Sequence, residues 1–180
     1  PTAIMAAIGQ ATKRGVVIKS GEALEKMGKV DTIAFDKTGT LTYGHLEVSD
    51  VLPFLEGMSS DTLLSLAASV ESKSEHPLGK AIVECAKQKE IPVVESTSFK
   101  MTAGRGVAAE INGRVLLCGS ERFLEENRIT LTTTIAVTLE RLRIEGKASI
   151  LVAEGTQCIG ILALSDVLRP EAKNMVERLN

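Results

Sequence analysis

The sequence predicts a chain of mixed class. A short α/β segment of parallel-sheet character gives way to an α+β unit, an antiparallel sheet flanked by pairs of helices. Three observations carry this. Thr32-Ile33-Ala34-Phe35 is an apolar run ending on Asp36 and a glycine-containing loop, the pattern of a buried strand meeting its C-terminal turn. Asn112-Gly113 separates the strand-like runs 107–111 and 114–118, and Asn-Gly in that setting is the strongest short-range hairpin signal because both residues tolerate positive φ. Around these features, apolar residues recur at helical spacing behind capping residues.

Taken in chain order, residues 1–12 are small, apolar and uncharged, and Lys13-Arg14-Gly15 follows. That pattern fits either an ordinary amphipathic helix or the last turns of a membrane helix leaving on the cytoplasmic side. Val16-Val17-Ile18 is a short apolar run, and residues 21–29 read as a helix before the strand at 32–35. From about Leu46 the character changes. Ser59, Ser60 or Asp61 caps a helix carrying Leu63, Leu66, Ala67 and Val70 on one face, and Pro77 opens a second carrying Leu78, Ala81, Ile82 and Cys85. After the Asn-Gly hairpin, Ile135, Leu139 and Leu142 mark a helix ending near Gly146, and strands at 149–153 and 158–164 flank the turn Glu154-Gly155. Ser165-Asp166, then Arg169-Pro170 and a helical pattern over 171–179, indicate that the chain returns to its first unit. There is no internal repeat and no low-complexity segment.

The 180 residues are 44% apolar and 24% charged, which is enough for a packed core and argues against disorder. A net charge of −2 with the two signs interspersed provides no basic stripe, so nucleic acid is not an expected partner. Cys85, Cys118 and Cys158 form no CxxC pair, which fits a reducing cytosolic setting better than a disulfide framework or a zinc knuckle. His45 and His76, the only histidines, have no spacing partner for a transition-metal cage. No uncharged apolar run reaches the roughly 18–20 residues a bilayer span needs, so the chain is expected to be soluble and monomeric. It starts without Met and stops inside a helical pattern, which leads us to expect a piece of a longer protein.

The chemistry concentrates in FDKTGTLT, residues 35–42. In an open parallel sheet, groups at the carboxyl end of a strand face the ligand crevice, so Asp36 is expected to be a reachable carboxylate. A carboxylate attacking a γ-phosphoryl group is already ionised at neutral pH and needs positioning and charge neutralisation more than a base. Lys37 adds positive charge. Thr38 and Thr40 offer hydroxyl and backbone oxygens to phosphate or Mg²⁺, and Gly39 lets backbone N–H groups approach an anion. The pattern points to phosphoryl transfer with Asp36 as nucleophile and Lys37 and Thr38 as its catalytic neighbours.

DKTGTLT, residues 36–42, resembles the phosphorylation motif of P-type ATPases at every position, and His76-Pro77 resembles the heavy-metal-transporting branch. The resemblance extends over essentially the whole chain. PTAIMAAIGQATKRGVVIKSGEALE is similar to the segment after the last metal-binding membrane helix, and SDVLRPEA to the return into the phosphorylation domain. The implied fold is a partial haloacid-dehalogenase-like Rossmannoid phosphorylation domain with an inserted nucleotide-binding domain. Residues 1–46 would hold the end of the membrane-helix segment and the first part of the phosphorylation domain, 47–165 the nucleotide-binding domain, and 166–180 the return. The implied function is the ATP-binding and phosphorylation-site region of a pump that uses an aspartyl phosphate to export Cu, Zn, Cd or Co. The implied cofactors are ATP and Mg²⁺, the metal held by Asp36 and Thr38 through side chain and backbone carbonyl, and the implied partners are the pump's membrane domain, actuator domain and remaining phosphorylation domain.

The resemblance also implies a nucleotide site. His76 would pack on adenine, Glu71 would bond the adenine amino group, and the backbone at Gly104, Gly106 and Val107 would lie near the phosphates. Gly119-Ser120 stands where many relatives have Gly-Asn, so a hydroxyl replaces a longer amide; Ser120 reads equally as a helix cap. By their own residue types, His before Pro reads as a helix start and GxG as a turn. Glu75 reads as a solvated charge at a helix start. Asp166 and Arg169 match the family's hinge, where a structural or phosphate-proximal role is expected. The runner-up is a phosphatase of the haloacid dehalogenase type, which carries a second aspartate two residues after the nucleophile to protonate the leaving group and activate water. Thr38 occupies that place and cannot do this work, so an acyl phosphate should persist, as a pump requires. A stand-alone nucleotide-binding module would leave DKTGTLT unexplained.

Overall fold

Helical periodicity in the sequence becomes helices at the expected places, while the first expected strand does not form. The computed structural model describes residues 2–179, in two units that divide between Asp36 and Lys37. The first unit holds α1 (Thr2–Lys13) and α2 (Gly21–Met27). The Ser20 hydroxyl caps α2 by accepting from the Ala23 N–H at 3.1 Å, with Glu22 in the first turn and Lys26 in the last, as the helix dipole favours. Neither helix has a buried residue. No helix among the described residues is long and apolar enough to cross a membrane.

Residues 30–36, including the strand expected at 32–35, carry no regular structure, and Ile33 is 51% exposed. A central parallel strand exists only through ladder bonds to neighbours on its edges. No described residue pairs with this segment.

The second unit opens with a single wide turn at Lys37–Leu41. Then follow β1 (Thr42–Pro53), α3 (Ser60–Glu71), α4 (Pro77–Gln88), β2 (Ser98–Thr102), β3 (Gly106–Ile111), β4 (Arg114–Gly119), α5 (Glu121–Glu126), α6 (Thr133–Ile144), β5 (Ala148–Glu154), β6 (Gln157–Leu168) and α7 (Pro170–Leu179). The six strands form one antiparallel sheet in the order β1-β6-β5-β4-β3-β2. Of the three candidate caps, Ser59 is the one that caps α3, accepting from the Thr62 N–H at 3.1 Å. The β3–β4 hairpin turns through Asn112 (φ 52°) and Gly113 (φ 75°), both positive as a type I′ turn requires.

Side-chain alternation sorts the sheet into two cores. On one face Leu116, Val152, Ile159 and Leu162 pack under α3 and α4 against Leu63, Leu64, Ala67 and Ile82. On the other, Leu117, Leu151 and Ile161 pack against Phe123, Leu124, Ile135 and Leu142 of α5 and α6. The expected antiparallel sheet between helix pairs is therefore present. Because both faces are covered, β5 and β6 read as nearly continuous apolar runs. β1 pairs with β6 from Thr42↔Leu168 to Pro53↔Gly160, so the 37–41 turn and the start of α7 leave the same end of one ladder.

Candidate functional site

A cleft of the second unit is built where α3 ends, α4 begins, β2 turns into β3 and β4 runs into α5. His76 is the N-cap of α4: its Nδ1 accepts from the Leu78 N–H at 3.3 Å, which fixes the ring and leaves Nε2 free. Pro77 at the first helical position sacrifices no hydrogen bond. The Ser74 hydroxyl accepts from the His76 N–H at 3.3 Å and so shapes the loop between the helices. Glu71, at the end of α3, is buried at 4% exposure, and no lysine or arginine among the described residues pairs with it. It fits because position 79 is glycine; a Cβ there would run into the Glu71 carboxylate and come within 2.9 Å of Ser74 Oγ. Burial pushes the Glu71 carboxyl above its ordinary range, and the Ser74 hydroxyl only partly opposes this. Beside it, burial, together with the Glu71 charge, raises the thiol of fully buried Cys118 well above its usual value, so no thiolate is available there.

The opposite wall is the β2–β3 turn. The Arg105 N–H donates to Thr102 O at 3.0 Å, and Gly104 takes φ 69°, the third position of a type II turn. Gly106 pairs with Gly119 across the ladder. A Cβ on Gly119 would lie 2.6 Å from Arg105 O, and one on either glycine would strike the Phe123 ring. The sheet's own packing thus demands Gly106 and Gly119 before any ligand does. Ser120 caps α5 through its hydroxyl, which accepts from the Phe123 N–H at 3.3 Å, and its own N–H donates to Arg105 O at 2.9 Å. The cap reading of Ser120 is therefore realised.

Glu71, His76, Gly104, Gly106, Val107, Gly119 and Ser120 all line this one cleft, whose cavity volume is about 190 Å³. That is below the roughly 300–1,000 Å³ of sites that swallow a drug-sized ligand, so a ligand of nucleotide size would be enclosed only in part. Lys37 and Thr38 do not line it.

Asp36 is the last residue of the first unit and is exposed; Lys37 and Thr38, also exposed, begin the second. Their turn breaks from helical geometry at Thr38 (φ −76°, ψ 120°) and Gly39 (φ 78°). Thr42 is its pivot. The residue is 1% exposed, and its hydroxyl lies 2.5 Å from Asp166 Oδ2 and 3.0 Å from Lys37 O and accepts from the Gly39 N–H at 3.2 Å. The Gly39 N–H is itself engaged by Thr42, and its positive φ lets the chain make the turn. Asp166 Oδ1 accepts from the His45 N–H at 3.0 Å. Arg169 donates to Thr42 O at 3.1 Å and Gly39 O at 3.4 Å, with its guanidinium 4.7 Å from the centre of the Tyr43 ring. Asp166 and Arg169, left between two roles by the sequence, hold the turn from the end of β6. Gly79 and the pivot role of Thr42 were not anticipated. The only prior signals were a glycine inside a predicted helix and one more hydroxyl in a hydroxyl-rich motif.

Residues 30–180 match the family model of haloacid dehalogenase-like hydrolases. Over 180 residues the chain is 37% identical to the probable copper-exporting P-type ATPase V of Mycobacterium tuberculosis, of which it spans 23%. Over 179 residues it is 37% identical to the copper-exporting P-type ATPase of Bacillus subtilis, of which it spans 22%. The chain therefore covers less than a quarter of these relatives. Among solved structures it is similar to a zinc-transporting PIB-type ATPase in its E2·Pi state, with TM-score 0.82 and 36% identity over 99% of this chain and 28% of that one. It is also similar to the N-domain of HMA8, a copper-transporting P-type ATPase, with TM-score 0.58 and 30% identity over 66% of this chain and 99% of that one.

Proposed function

Because the chain belongs to the haloacid dehalogenase-like hydrolase family and its homologues are P-type ATPases, we propose that it is the ATP-binding and phosphorylation-site region of a heavy-metal pump. The pump would export copper, zinc, cadmium or cobalt, with this region on the cytoplasmic face of its membrane. Residues 47–165 would be the nucleotide-binding domain, 1–46 the end of the membrane-helix segment with the first part of the phosphorylation domain, and 166–180 the return into that domain. The actuator, the membrane helices and the rest of the phosphorylation domain would be its partners.

The observation that supports this best is the cleft. Residues from Glu71 to Ser120, scattered over α3, α4, β3 and β4, converge on one concave site around a fixed imidazole and a buried carboxyl. The His76 face would stack on adenine. A Glu71 carboxylate oxygen would accept from the adenine amino group. The phosphates would then run out past the Gly104 turn.

In the transfer itself an Asp36 carboxylate oxygen forms the new P–O bond, the bond from the γ-phosphorus to the β–γ bridging oxygen breaks, and ADP leaves with that electron pair. Lys37 would neutralise developing charge. Mg²⁺ would be held by Asp36 and the Thr38 carbonyl; two protein oxygens completed by phosphate and water is a donor set Mg²⁺ accepts, and it would supply charge neutralisation. Thr38 has no acid–base chemistry for hydrolysis, so the mixed anhydride would persist.

Two measurements test this. In an NMR titration of the chain with ATP, His76→Ala is expected to weaken binding about 10-fold, the loss of one aromatic stack; unchanged shifts and affinity would remove the adenine assignment. In the full-length protein, γ-labelled ATP should leave an acid-stable, hydroxylamine-labile label that Asp36→Asn abolishes. Label persisting in that variant would put the nucleophile elsewhere.

A further inference from the structure

The nucleotide reading leaves one part of its ligand without a partner. The cleft supplies a ring, a carboxyl and bare backbone, but a polyphosphate needs a cation, and Arg105 is the only lysine or arginine among the lining residues. It sits between the two glycines of the β2–β3 turn, and neither the motif chemistry nor the family resemblance assigned it a role.

We propose that Arg105 is the phosphate-recognition residue of the cleft, held on Glu126 and transferable from that carboxylate to the phosphates of a bound nucleotide. The proposal rests on the nucleotide reading of the same site. Its first support is that the Arg105 backbone is fixed, so that only the side chain has to move. Its N–H is bonded to Thr102 O and its carbonyl to the Ser120 N–H, and Gly106 is pinned against Gly119, so the guanidinium swings from a stationary base.

The second support is that its present partner releases it at little cost. Arg105 Nη1 pairs with Glu126 Oε1, with side chains 37% and 39% exposed, and pairs this wet contribute little. Arg122 Nε reaches the same Oε1 at 3.2 Å from one helical turn away, so Glu126 keeps a cation when Arg105 leaves. A phosphate chain carries more charge than one carboxylate and matches the guanidinium fork. The exchange is thus favoured by charge and geometry and leaves no group stranded. A lysine in place of Arg105 would keep the charge and lose the fork.

Calorimetric titration of the 180-residue chain with adenosine, AMP, ADP and ATP tests this. In the wild type, affinity should rise along that series, and the advantage of ATP over adenosine should shrink as salt is raised. Arg105→Ala should reduce the ATP-to-adenosine affinity ratio about 3- to 10-fold while adenosine, which has no phosphate, binds as before. Glu126→Gln, which removes the competing carboxylate, should raise ATP affinity about 2-fold and leave adenosine unchanged. An unaltered ratio in Arg105→Ala would overturn the proposal. So would equal losses for adenosine and ATP, which would make Arg105 a latch between the turn and α5. Wild-type protein that binds neither ligand would instead sink the nucleotide reading underneath it.

Discussion

Residues 2–36 and residues 37–179 are comparably rich in apolar side chains and put them to different use. In the second stretch helices cover both faces of the sheet, and Leu63 and Leu64 of α3, Leu151 of β5 and Ile161 and Leu162 of β6 have essentially no exposed surface. In the first, α1 and α2 bury nothing, Val17 is 82% exposed, and Ile33 and Phe35 face solvent. Composition does not separate the two. What separates them is whether a complementary face lies within the same unit: α3 meets a sheet face, whereas the strand expected at 32–35 has no ladder to join. Within the second unit α7 repeats the lesson, with only Ala172 buried while Met175, Val176 and Leu179 stand exposed.

The largest effect that could break this contrast is in the core. Leu63, fully buried on α3, packs against Gly160 of β6 so closely that a Cβ on that glycine would collide with it. Leu63→Ala is expected to cost about 2–5 kcal/mol in urea unfolding. Val17→Ala should stay within about 0.5 kcal/mol of wild type. Comparable losses for the two would mean that the first unit shares the core's cooperativity.

That contrast also explains what the sequence made legible. α3, α4, the Asn112-Gly113 hairpin and strands β5 and β6 announce themselves through local periodicity, caps and turn chemistry. β1 does not: TYGHLEVSDVLP carries a glycine and a proline, and its register with β6 shifts twice, between Thr42 and Leu46 and between Val48 and Asp50, so no alternation survives. β2 is a five-residue edge strand, too short to show a period. Strand 32–35 fails for the opposite reason, since its pattern is clear but its existence depends on neighbours. At the site, Glu71, His76 and the glycines could be grouped only by family resemblance, because convergence of α3, α4, β3 and β4 is a property of topology. Gly79 and Arg105 act through contacts that no spacing rule encodes.

The next largest effect sharpens the boundary between the units. Thr42 closes the 37–41 turn from inside the second unit. Thr42→Val keeps its shape and removes a hydrogen bond to the half-buried Asp166 carboxylate, so a loss of about 1–3 kcal/mol is expected, with faster amide exchange at Gly39. Unchanged exchange at Gly39 would show that the turn does not depend on β6. Ser120 comes next. Ser120→Ala should cost about 0.5–2 kcal/mol through the lost α5 cap, and Ser120→Asn should restore most of it, asparagine being as good a cap. If Ser120→Ala leaves stability intact yet weakens ATP binding, the hydroxyl works for the ligand and not for the helix.

The smallest effect compares one ion pair from each unit. In the second, Lys147 Nζ lies 2.8 Å from Asp50 Oδ2, with side chains 21% and 26% exposed, tying β1 to the strand end after α6. In the first, Lys26 and Glu22 are 2.8 Å apart but 75% and 74% exposed. The Lys147 hydrogen bond, against some desolvation, holds the Asp50 carboxyl below its ordinary value. A depressed carboxylate contributes stability that is present above the unfolded pKa, near 4, and is lost as pH falls through the lower folded pKa. Asp50→Asn should therefore cost up to about 1 kcal/mol at neutral pH. The deficit should close in acid, once the wild-type carboxyl is itself protonated, because both proteins then lack the charge. Glu22→Gln should show no measurable loss at any pH, since water already solvates both ends of that pair. Parallel stability–pH curves for Asp50→Asn and wild type would mean that the β1 pair is as idle as the helical one, and that partial burial of an ion pair is not what separates the two units.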